Sequence, residues 1–236
     1  MDQINKSNFE FRQIFDTKTC TFTYLVFDAE TREGIIIDPI RENFSKNLKY
    51  IEELEIDLKY IVDTHVHADH VTSSCFFKEA TGAKIVFGKI TEVKCADILI
   101  KDGEELEFGS FSIRAISTPG HTEGCTCFYT EGRLFTGDTL LIRSCGRTDF
   151  QNGDPVKLYE SVKKKLYLFP EDTLIYPGHD YSGRTVSTII EEKKFNLRIS
   201  INRTLKDFIL IMNTLDLPKP RMIDEAVKLN HKCGCS

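Results

Sequence analysis

The sequence predicts an α/β fold in which strand ends carry candidate metal-binding side chains. Short apolar runs with strand character alternate with stretches whose apolar residues recur at helical spacing. Four of the strand-like runs lead into histidine or aspartate, as expected where rigid strands deliver side chains to one site. The length of 236 residues fits a single large α/β sandwich, so we expect one domain over 1–236 with a short helical C-terminal ending.

The strands are predicted from apolar alternation and from short apolar runs bounded by turn residues. The first two runs, 9–15 and 21–28, alternate and are separated by a short polar turn, which is typical of a meander at a sheet edge. The further strands are expected at 34–38, 58–63, 84–87, 106–108, 111–117, 125–130, 134–138 and 174–176.

The helices are predicted from apolar residues that recur every three or four positions. Asp154 followed by Pro155 is a favourable helix start, and Leu158, Val162 and Leu166 supply a stripe that can be buried. The helix at 71–80 would place its N-terminus near the candidate site, where its dipole favours anions. We expect helices at 44–55, 71–80, 155–166, 186–195, 204–214 and 221–229.

The segment Thr64-His65-Val66-His67-Ala68-Asp69-His70 is the strongest signal in the chain. In an extended segment His65 and His67 point the same way, and a following turn can bring Asp69 and His70 to a second position beside them. Imidazole suits Zn, Fe, Cu or Ni, and the carboxylate favours the harder, catalytic metals. A solvated loop is the alternative, but His and Asp clustered at ligand spacing rarely serve another purpose.

Three later strand ends extend this candidate site. Thr118-Pro119-Gly120-His121 and Tyr176-Pro177-Gly178-His179 repeat one pattern of strand, Pro-Gly turn and histidine. The run that begins at Leu134 ends in a carboxylate, Asp138. Of the six histidines, only His231 lies outside this pattern.

Composition and charge exclude several classes of function. The net charge of −5 offers no overall basic surface, so nucleic acid and an anionic membrane are not expected partners. No apolar run reaches eighteen residues, and residues 1–20 show neither a secretory signal nor a transit peptide. These features predict a cytoplasmic protein.

The eight cysteines are scattered rather than spaced as a disulfide framework, so we expect reduced thiols. Cys125 and Cys127 share one face of a strand and are expected in the core. A metal site formed by His231, Cys233 and Cys235 is less favoured, because it offers three donors on a terminus.

The order and spacing of residues 65–70, His121, Asp138 and His179 resemble the metallo-β-lactamase superfamily. The resemblance covers nearly the whole chain. It implies an αβ/βα sandwich of two mixed β-sheets flanked by helices, with a metal centre at one edge.

A narrower resemblance is carried by Cys145-Gly146-Arg147-Thr148-Asp149-Phe150-Gln151 together with His179-Asp180-Tyr181. These segments are similar to the persulfide dioxygenases, which oxidise glutathione persulfide with O2 to sulfite and glutathione at one non-haem Fe(II). The resemblance implies His65, His121 and Asp138 as iron ligands and Arg147 and Tyr181 on the substrate side. His67, Asp69, His70 and His179 would then be outer-shell groups around one Fe(II) per chain.

The ligand inventory alone leaves a second interpretation open. The seven donors could hold two metals that share Asp138, which is the binuclear pattern of the glyoxalase II hydrolases and would suit zinc. The Gly-Arg-Thr-Asp-Phe loop and the short helical ending favour the dioxygenase. A metal-binding protein without chemistry is less favoured, because structural sites close their shell with four ligands. The resemblance also suggests a homodimer, and a separate rhodanese-type sulfurtransferase could supply the substrate.

Overall fold

A computed structural model describes residues 8–91, 93–220 and 222–235 of the chain. The first half forms a six-stranded mixed sheet in which the strands lie in chain order. Its first three strands pair antiparallel, and the third to sixth pair parallel. These strands are β1 Phe9–Asp16, β2 Thr21–Asp28, β3 Glu33–Ile37, β4 Asp57–Val62, β5 Lys84–Gly88 and β6 Ile98–Ile100.

The second half forms another six-stranded mixed sheet, again in chain order. Its strands are β7 Glu105–Phe108, β8 Phe111–Ser117, β9 Thr126–Thr130, β10 Arg133–Gly137, β11 Leu174–Pro177 and β12 Ser187–Thr188. The pair β10 and β11 is parallel, whereas the remaining neighbours are antiparallel. Strands β8, β10 and β11 therefore run in one direction, and their carboxyl ends meet at one edge.

The helices lie outside the two sheets. Their bounds are α1 Phe44–Glu53, α2 Ser74–Thr81, α3 Pro155–Lys164, α4 Ile189–Phe195, α5 Leu205–Asn213 and α6 Ile223–Asn230. Asp154 caps α3 as expected, because its carboxylate accepts hydrogen bonds from the amides of Val156 and Lys157 at 2.8 and 3.2 Å.

Three apolar clusters hold these layers together. Strand β2 shows the alternation that builds them: Tyr24 and Val26 face the other sheet, whereas Leu25 and Phe27 face α1 and α2. The outer face of the second sheet packs on α3 and α5, where Leu158 belongs to the third cluster. The predicted αβ/βα sandwich of two mixed sheets is thus confirmed.

Two very short strands, β6 and β12, were not predicted, because three and two residues are too few to show a period. Helix α2 begins at Ser74 rather than at 71, since Thr72 bridges to Ile40 and Ser73 bonds to Pro39. The predicted helix over 221–229 begins at Ile223. Position 221 lies outside the described residues, as do residues 1–7 of the N-terminal segment considered for targeting signals.

The expectation of reduced cysteines is wrong for half of them. Cys75 is bonded to Cys235, and Cys95 is bonded to Cys233. The partners are 160 and 138 residues apart, so their proximity depends on the tertiary fold, which sequence spacing does not reveal. The pairing also removes Cys233 and Cys235 from any metal site with His231. Cys125 and Cys127 are buried, as expected.

Among the described residues, we find no helix whose length and apolar character would allow it to cross a membrane.

Candidate metal centre

The candidate site lies where the strand ends of the two sheets meet. The segment 63–73 leaves the carboxyl end of β4 and has no regular secondary structure; we call it the metal loop. The second sheet supplies His121 after β8, Asp138 directly after β10 and His179 after β11. Because these three strands run in one direction, their ends bring the side chains together opposite the metal loop.

His65, His121 and Asp138 form one compact donor cluster. One potential ligand atom from each lies within 4.8 Å of the others. The Nε2 atom of His121 is 3.6 Å from Oδ2 of Asp138. Two imidazoles and a carboxylate in this arrangement match the donor set of the 2-His-1-carboxylate facial triad, which leaves open positions on a metal.

Both histidines of this cluster are oriented through Nδ1. His121 donates its Nδ1 hydrogen to the carbonyl oxygen of Arg147 at 2.7 Å. His65 Nδ1 lies 3.0 Å from the Thr64 hydroxyl, which in turn donates to Asp38 at 2.9 Å. Such contacts fix the tautomer and the ring plane, and they leave Nε2 of each ring available to bind a metal.

The electrostatics of the cluster suit a cation. Burial, together with His67 and His121, lowers the pKa of His65 well below its usual range, so the ring is neutral at pH 7. Burial alone would raise the pKa of Asp138, but His179, His121 and His65 together hold it below its ordinary value. A neutral imidazole beside an ionised carboxylate is the protonation state in which both groups can coordinate a metal.

A second donor cluster is formed by His67, Asp69 and His70. His70 donates through Nδ1 to Asp69 at 2.9 Å, and the ring centroids of His67 and His70 are 4.3 Å apart. His179 joins this cluster to the first, because its Nε2 lies 3.6 Å from both Asp69 and Asp138. The structure therefore brings together all seven donors predicted from the sequence.

Several buried polar atoms of the two clusters have no hydrogen-bond partner among the described residues: His67 Nδ1, His70 Nε2 and Asp138 Oδ1. A buried polar atom left without a partner is costly. All three are lone-pair atoms that could coordinate a cation directly or bind its water. The residues present thus fit a metal ion, and the unpaired nitrogens of His67 and His70 extend that fit to the second cluster.

Sequence analysis missed two buried carboxylates behind the histidines. Asp38 follows β3 and accepts from the Thr64 amide at 2.7 Å and from His67 Nε2 at 3.1 Å. Asp63 follows β4, and burial together with Asp38 raises its pKa to about 7. A signal was available, since each carboxylate ends an apolar strand run, as Asp138 does.

Arg147 is in contact with protein groups. Its guanidinium forms a two-point ion pair with Asp149 at 2.6 and 2.7 Å and donates to the carbonyl of Pro218 at 2.7 Å. The guanidinium carbon also lies 4.6 Å from the ring centre of Phe150. Arg147 therefore ties its loop to the segment before α6, and binding of substrate by its side chain stays a prediction.

Tyr181 lies on the open side of the site. Its ring stacks on His179 with centroids 5.9 Å apart and planes 2° apart, and 74% of the residue is exposed. A groove of about 590 Å³ runs along another border of the centre and is lined by Val66, Thr122, Gln151 and His231, among others. The groove is lined by the chain neighbours Val66 and Thr122 of the candidate ligands, and none of the seven donors lines it directly.

Comparison with known proteins matches residues 21–179 to the family model of the metallo-beta-lactamase superfamily. The chain is 45% identical to human persulfide dioxygenase ETHE1, mitochondrial, over 94% of this chain and 88% of that protein. Glyoxylase B2 of Dictyostelium discoideum is 30% identical over 93% of this chain and 89% of that protein.

Among solved structures, the crystal structure of ETHE1 from Myxococcus xanthus superposes with a TM-score of 0.93. It is 43% identical and is matched over 96% of this chain and all of that one. At 96% of the chain, this match extends beyond residues 21–179 into the helical ending.

Proposed function

This chain belongs to the metallo-β-lactamase superfamily and, within it, to the persulfide dioxygenases, and we propose that it oxidises glutathione persulfide with O2 at one Fe(II). The observation that carries the proposal is the compact cluster of His65, His121 and Asp138 in a chain 45% identical to a named persulfide dioxygenase. The fold family and this donor set support a metal cofactor; its identity as iron is our proposal.

The reaction we propose converts one persulfide, one O2 and one water into one glutathione, one sulfite and two protons. A bound Fe(II) would supply single-electron chemistry, which O2 needs in order to react with a closed-shell persulfide. The protein holds the donor set in place: Arg147 fixes His121 through its backbone carbonyl, and Asp38 fixes His65 through Thr64. These contacts pre-organise the site, so little reorganisation is needed at the moment of reaction.

The chain also offers groups to hold the substrate. Glutathione carries two carboxylates and one ammonium. Arg147 is a cation on the 145–151 loop, which borders the site, and could bind one of these carboxylates. Its fork already binds Asp149, so a substrate carboxylate would have to compete with that side chain or share the guanidinium with it. Tyr181, exposed and stacked on His179, can contact the substrate from the other side.

A second function is supported by a specific observation. The nitrogens of His67 and His70 that lack a hydrogen-bond partner could hold a second metal together with Asp69, and His179 lies beside Asp69. A binuclear zinc centre would favour hydrolysis of S-lactoylglutathione through a metal-activated hydroxide. The similarity to glyoxylase B2 is lower, at 30%, so we place this hydrolase second.

Parallel assays on protein produced in iron-replete medium test the two functions. We expect about one iron per chain, O2 uptake with glutathione persulfide, sulfite as product and negligible hydrolysis of S-lactoylglutathione. Two zinc ions per chain with fast thioester hydrolysis and no O2 uptake would replace the dioxygenase with the hydrolase. We also propose that the protein forms a homodimer, that a separate rhodanese-type sulfurtransferase supplies the persulfide, and that the protein is cytoplasmic.

A further inference from the structure

The C-terminal residues 230–235 pack directly against the metal loop. Helix α6 ends at Asn230, and the chain then turns so that the amide of Gly234 bonds to the carbonyl of Leu229 at 2.9 Å. Gly234 has a φ of 80° and lies against Thr72, where an added Cβ would collide with the Thr72 carbonyl oxygen. Arg41 donates to the Gly234 carbonyl from the other side. The tail is therefore a fixed part of the structure that lines the back of the site.

Asn230 is the contact that joins this tail to the candidate ligands. Its side chain is buried, and it donates through Nδ2 to the carbonyls of His67 at 2.8 Å and His70 at 2.9 Å. Its Oδ1 accepts from the amide of Thr72 at 2.9 Å. A single amide thus binds three backbone groups on both sides of Asp69.

These bonds matter because the metal loop has no ladder or helix to satisfy its backbone. Buried backbone groups need partners, and a loop without them would take another conformation. The side chains of His67 and His70 project from the two residues whose carbonyls Asn230 holds. A shift of either carbonyl would rotate its imidazole out of the second cluster and, through the adjoining backbone, move His65 in the first.

The two disulfides hold Asn230 in this position. Cys235 is bonded to Cys75 in the first turn of α2, directly after the metal loop, and Cys233 is bonded to Cys95. The carbonyl of Cys233 also accepts from the Cys75 amide at 2.9 Å. Helix α6 is only eight residues long and only Ala226 and Asn230 of it are buried, so these links add to the few contacts that hold it.

We infer that Asn230 is a positioning residue for the candidate metal centre and that the two disulfides keep it there, so that opening them weakens metal binding. The inference rests on the proposed metal site, but not on the identity of the reaction. It assigns a purpose to the Cys-Gly-Cys tail, which the dioxygenase chemistry leaves without one.

Opening the disulfides is ordinary thiol exchange. Two molecules of a small thiol, such as the glutathione that the proposed reaction releases, reduce one protein disulfide to two thiols and become one disulfide themselves. Cys95 and Cys235 are half-buried, whereas their partners Cys233 and Cys75 are buried. In the test we use a phosphine as the reductant instead. The phosphine takes up the oxygen of one water, and the two protons of that water go to the two cysteine sulfurs.

Zinc binding, measured by competition with a chromophoric chelator, is the first arm of the test. Asn230→Ala should weaken zinc binding about 10- to 100-fold, the usual cost of losing an outer-shell partner. Asn230→Asp keeps the acceptor for Thr72 but sets a carboxylate oxygen against two carbonyls, so it should be at least as weak. Lys228→Ala, on the exposed side of the same helix, is the matched control and should bind zinc as the parent does.

The second arm asks whether the disulfides act through Asn230. A variant that combines Cys75→Ser, Cys95→Ser, Cys233→Ser and Cys235→Ser lacks both disulfides and adds no zinc-binding thiol. Its affinity for zinc should fall as that of Asn230→Ala does. Adding Asn230→Ala to this variant should not lower the zinc affinity further, because both changes remove the same contact. Fully additive losses would mean that the bridges act elsewhere, and the inference would be overturned.

Hydrogen exchange on the metal-free protein provides a readout that needs no variant. After reduction by the phosphine, the Thr72 amide should lose protection while the amides of β4 keep theirs, which separates release of the loop from unfolding. Reduced protein that keeps Thr72 protected, or Asn230→Ala that binds zinc as tightly as Lys228→Ala, would contradict the inference. None of these measurements uses persulfide or O2. They can therefore be interpreted even if the dioxygenase assignment fails, and the dioxygenase assays can be interpreted even if the role of Asn230 is contradicted.

Discussion

The Nδ1 atom of His121 lies 2.7 Å from the carbonyl oxygen of Arg147. This contact makes the backbone of the 145–151 loop part of the candidate metal centre, because it fixes which nitrogen of His121 faces Asp138. The resemblance of that loop to the persulfide dioxygenases therefore has a structural meaning that does not depend on the arginine side chain. Whatever moves the loop also moves a candidate ligand.

Metal content across four alanine variants separates the candidate ligands from their supports. His121→Ala and Asp138→Ala should yield protein without metal, since each removes a donor of the first cluster. His70→Ala and His179→Ala should keep most of the metal and lose about 10- to 100-fold in rate or affinity, as outer-shell groups do. Metal is counted per chain on folded protein. If the parent protein binds two metals and His70→Ala and His179→Ala each halve that metal content, the one-iron assignment is contradicted.

Arg147→Ala should raise the apparent KM for glutathione persulfide more than it lowers metal content, if the guanidinium binds a substrate carboxylate. Arg147→Lys should recover little of the effect if a two-point fork is needed, and part of it if charge suffices.

Asp149→Asn is the matched control for that pair, because it frees the guanidinium from its present partner. A substrate-binding Arg147 predicts that Asp149→Asn leaves KM unchanged or lowers it. Equal increases in KM for Arg147→Ala and Asp149→Asn would instead assign both residues to holding the loop.

Gly178→Ala should remove metal without unfolding the protein. A Cβ at this position would lie 2.7 Å from Asp138 Oδ1, so the carboxylate has to move away from the cluster. Gly34→Ala is equally crowded, by Ile56 and Phe27 at 2.9 Å, but lies in the core away from the site. We expect Gly34→Ala to lower the thermal midpoint and keep the metal. Loss of metal in both variants, or in neither, would contradict the close packing of Gly178 on Asp138.

Alkylation tests the cysteine assignments. Burial raises the pKa of Cys125 and Cys145 to about 12 and that of Cys127 to about 11. At pH 8 each is then thiolate in roughly one molecule per thousand or fewer, and iodoacetamide reacts with the thiolate. The native chain should take up one label, at Cys20, and four after unfolding without reductant. Eight labels in unfolded, unreduced protein would mean that the disulfides are absent.

The sequence predicted most of this site because its donors are close in the chain or follow recognisable strand ends. His65 to His70 need only a turn to converge, and His121, Asp138 and His179 each follow an apolar run that fixes their edge. Alternation likewise placed β2 within its exact bounds, Thr21–Asp28.

What could not be predicted depends on contacts between distant segments. Asn230 is about 160 residues from the loop it holds, and an isolated asparagine at a helix end carries no signal of its partners. The pairing of Cys75 with Cys235 has the same origin. Arg147 shows a further limit: its presence was informative, but only the fold reveals that its backbone carbonyl contacts a candidate ligand, His121, while its guanidinium binds Asp149.

The most direct test of the proposed dioxygenase is the stoichiometry of its reaction, followed with an oxygen electrode and quantified sulfite and glutathione. Protein that carries one iron should consume one O2 for each sulfite and each glutathione formed from glutathione persulfide, and Asp138→Ala should consume none. Release of glutathione without O2 uptake, or the same O2 uptake by Asp138→Ala, would contradict oxidation at this metal centre.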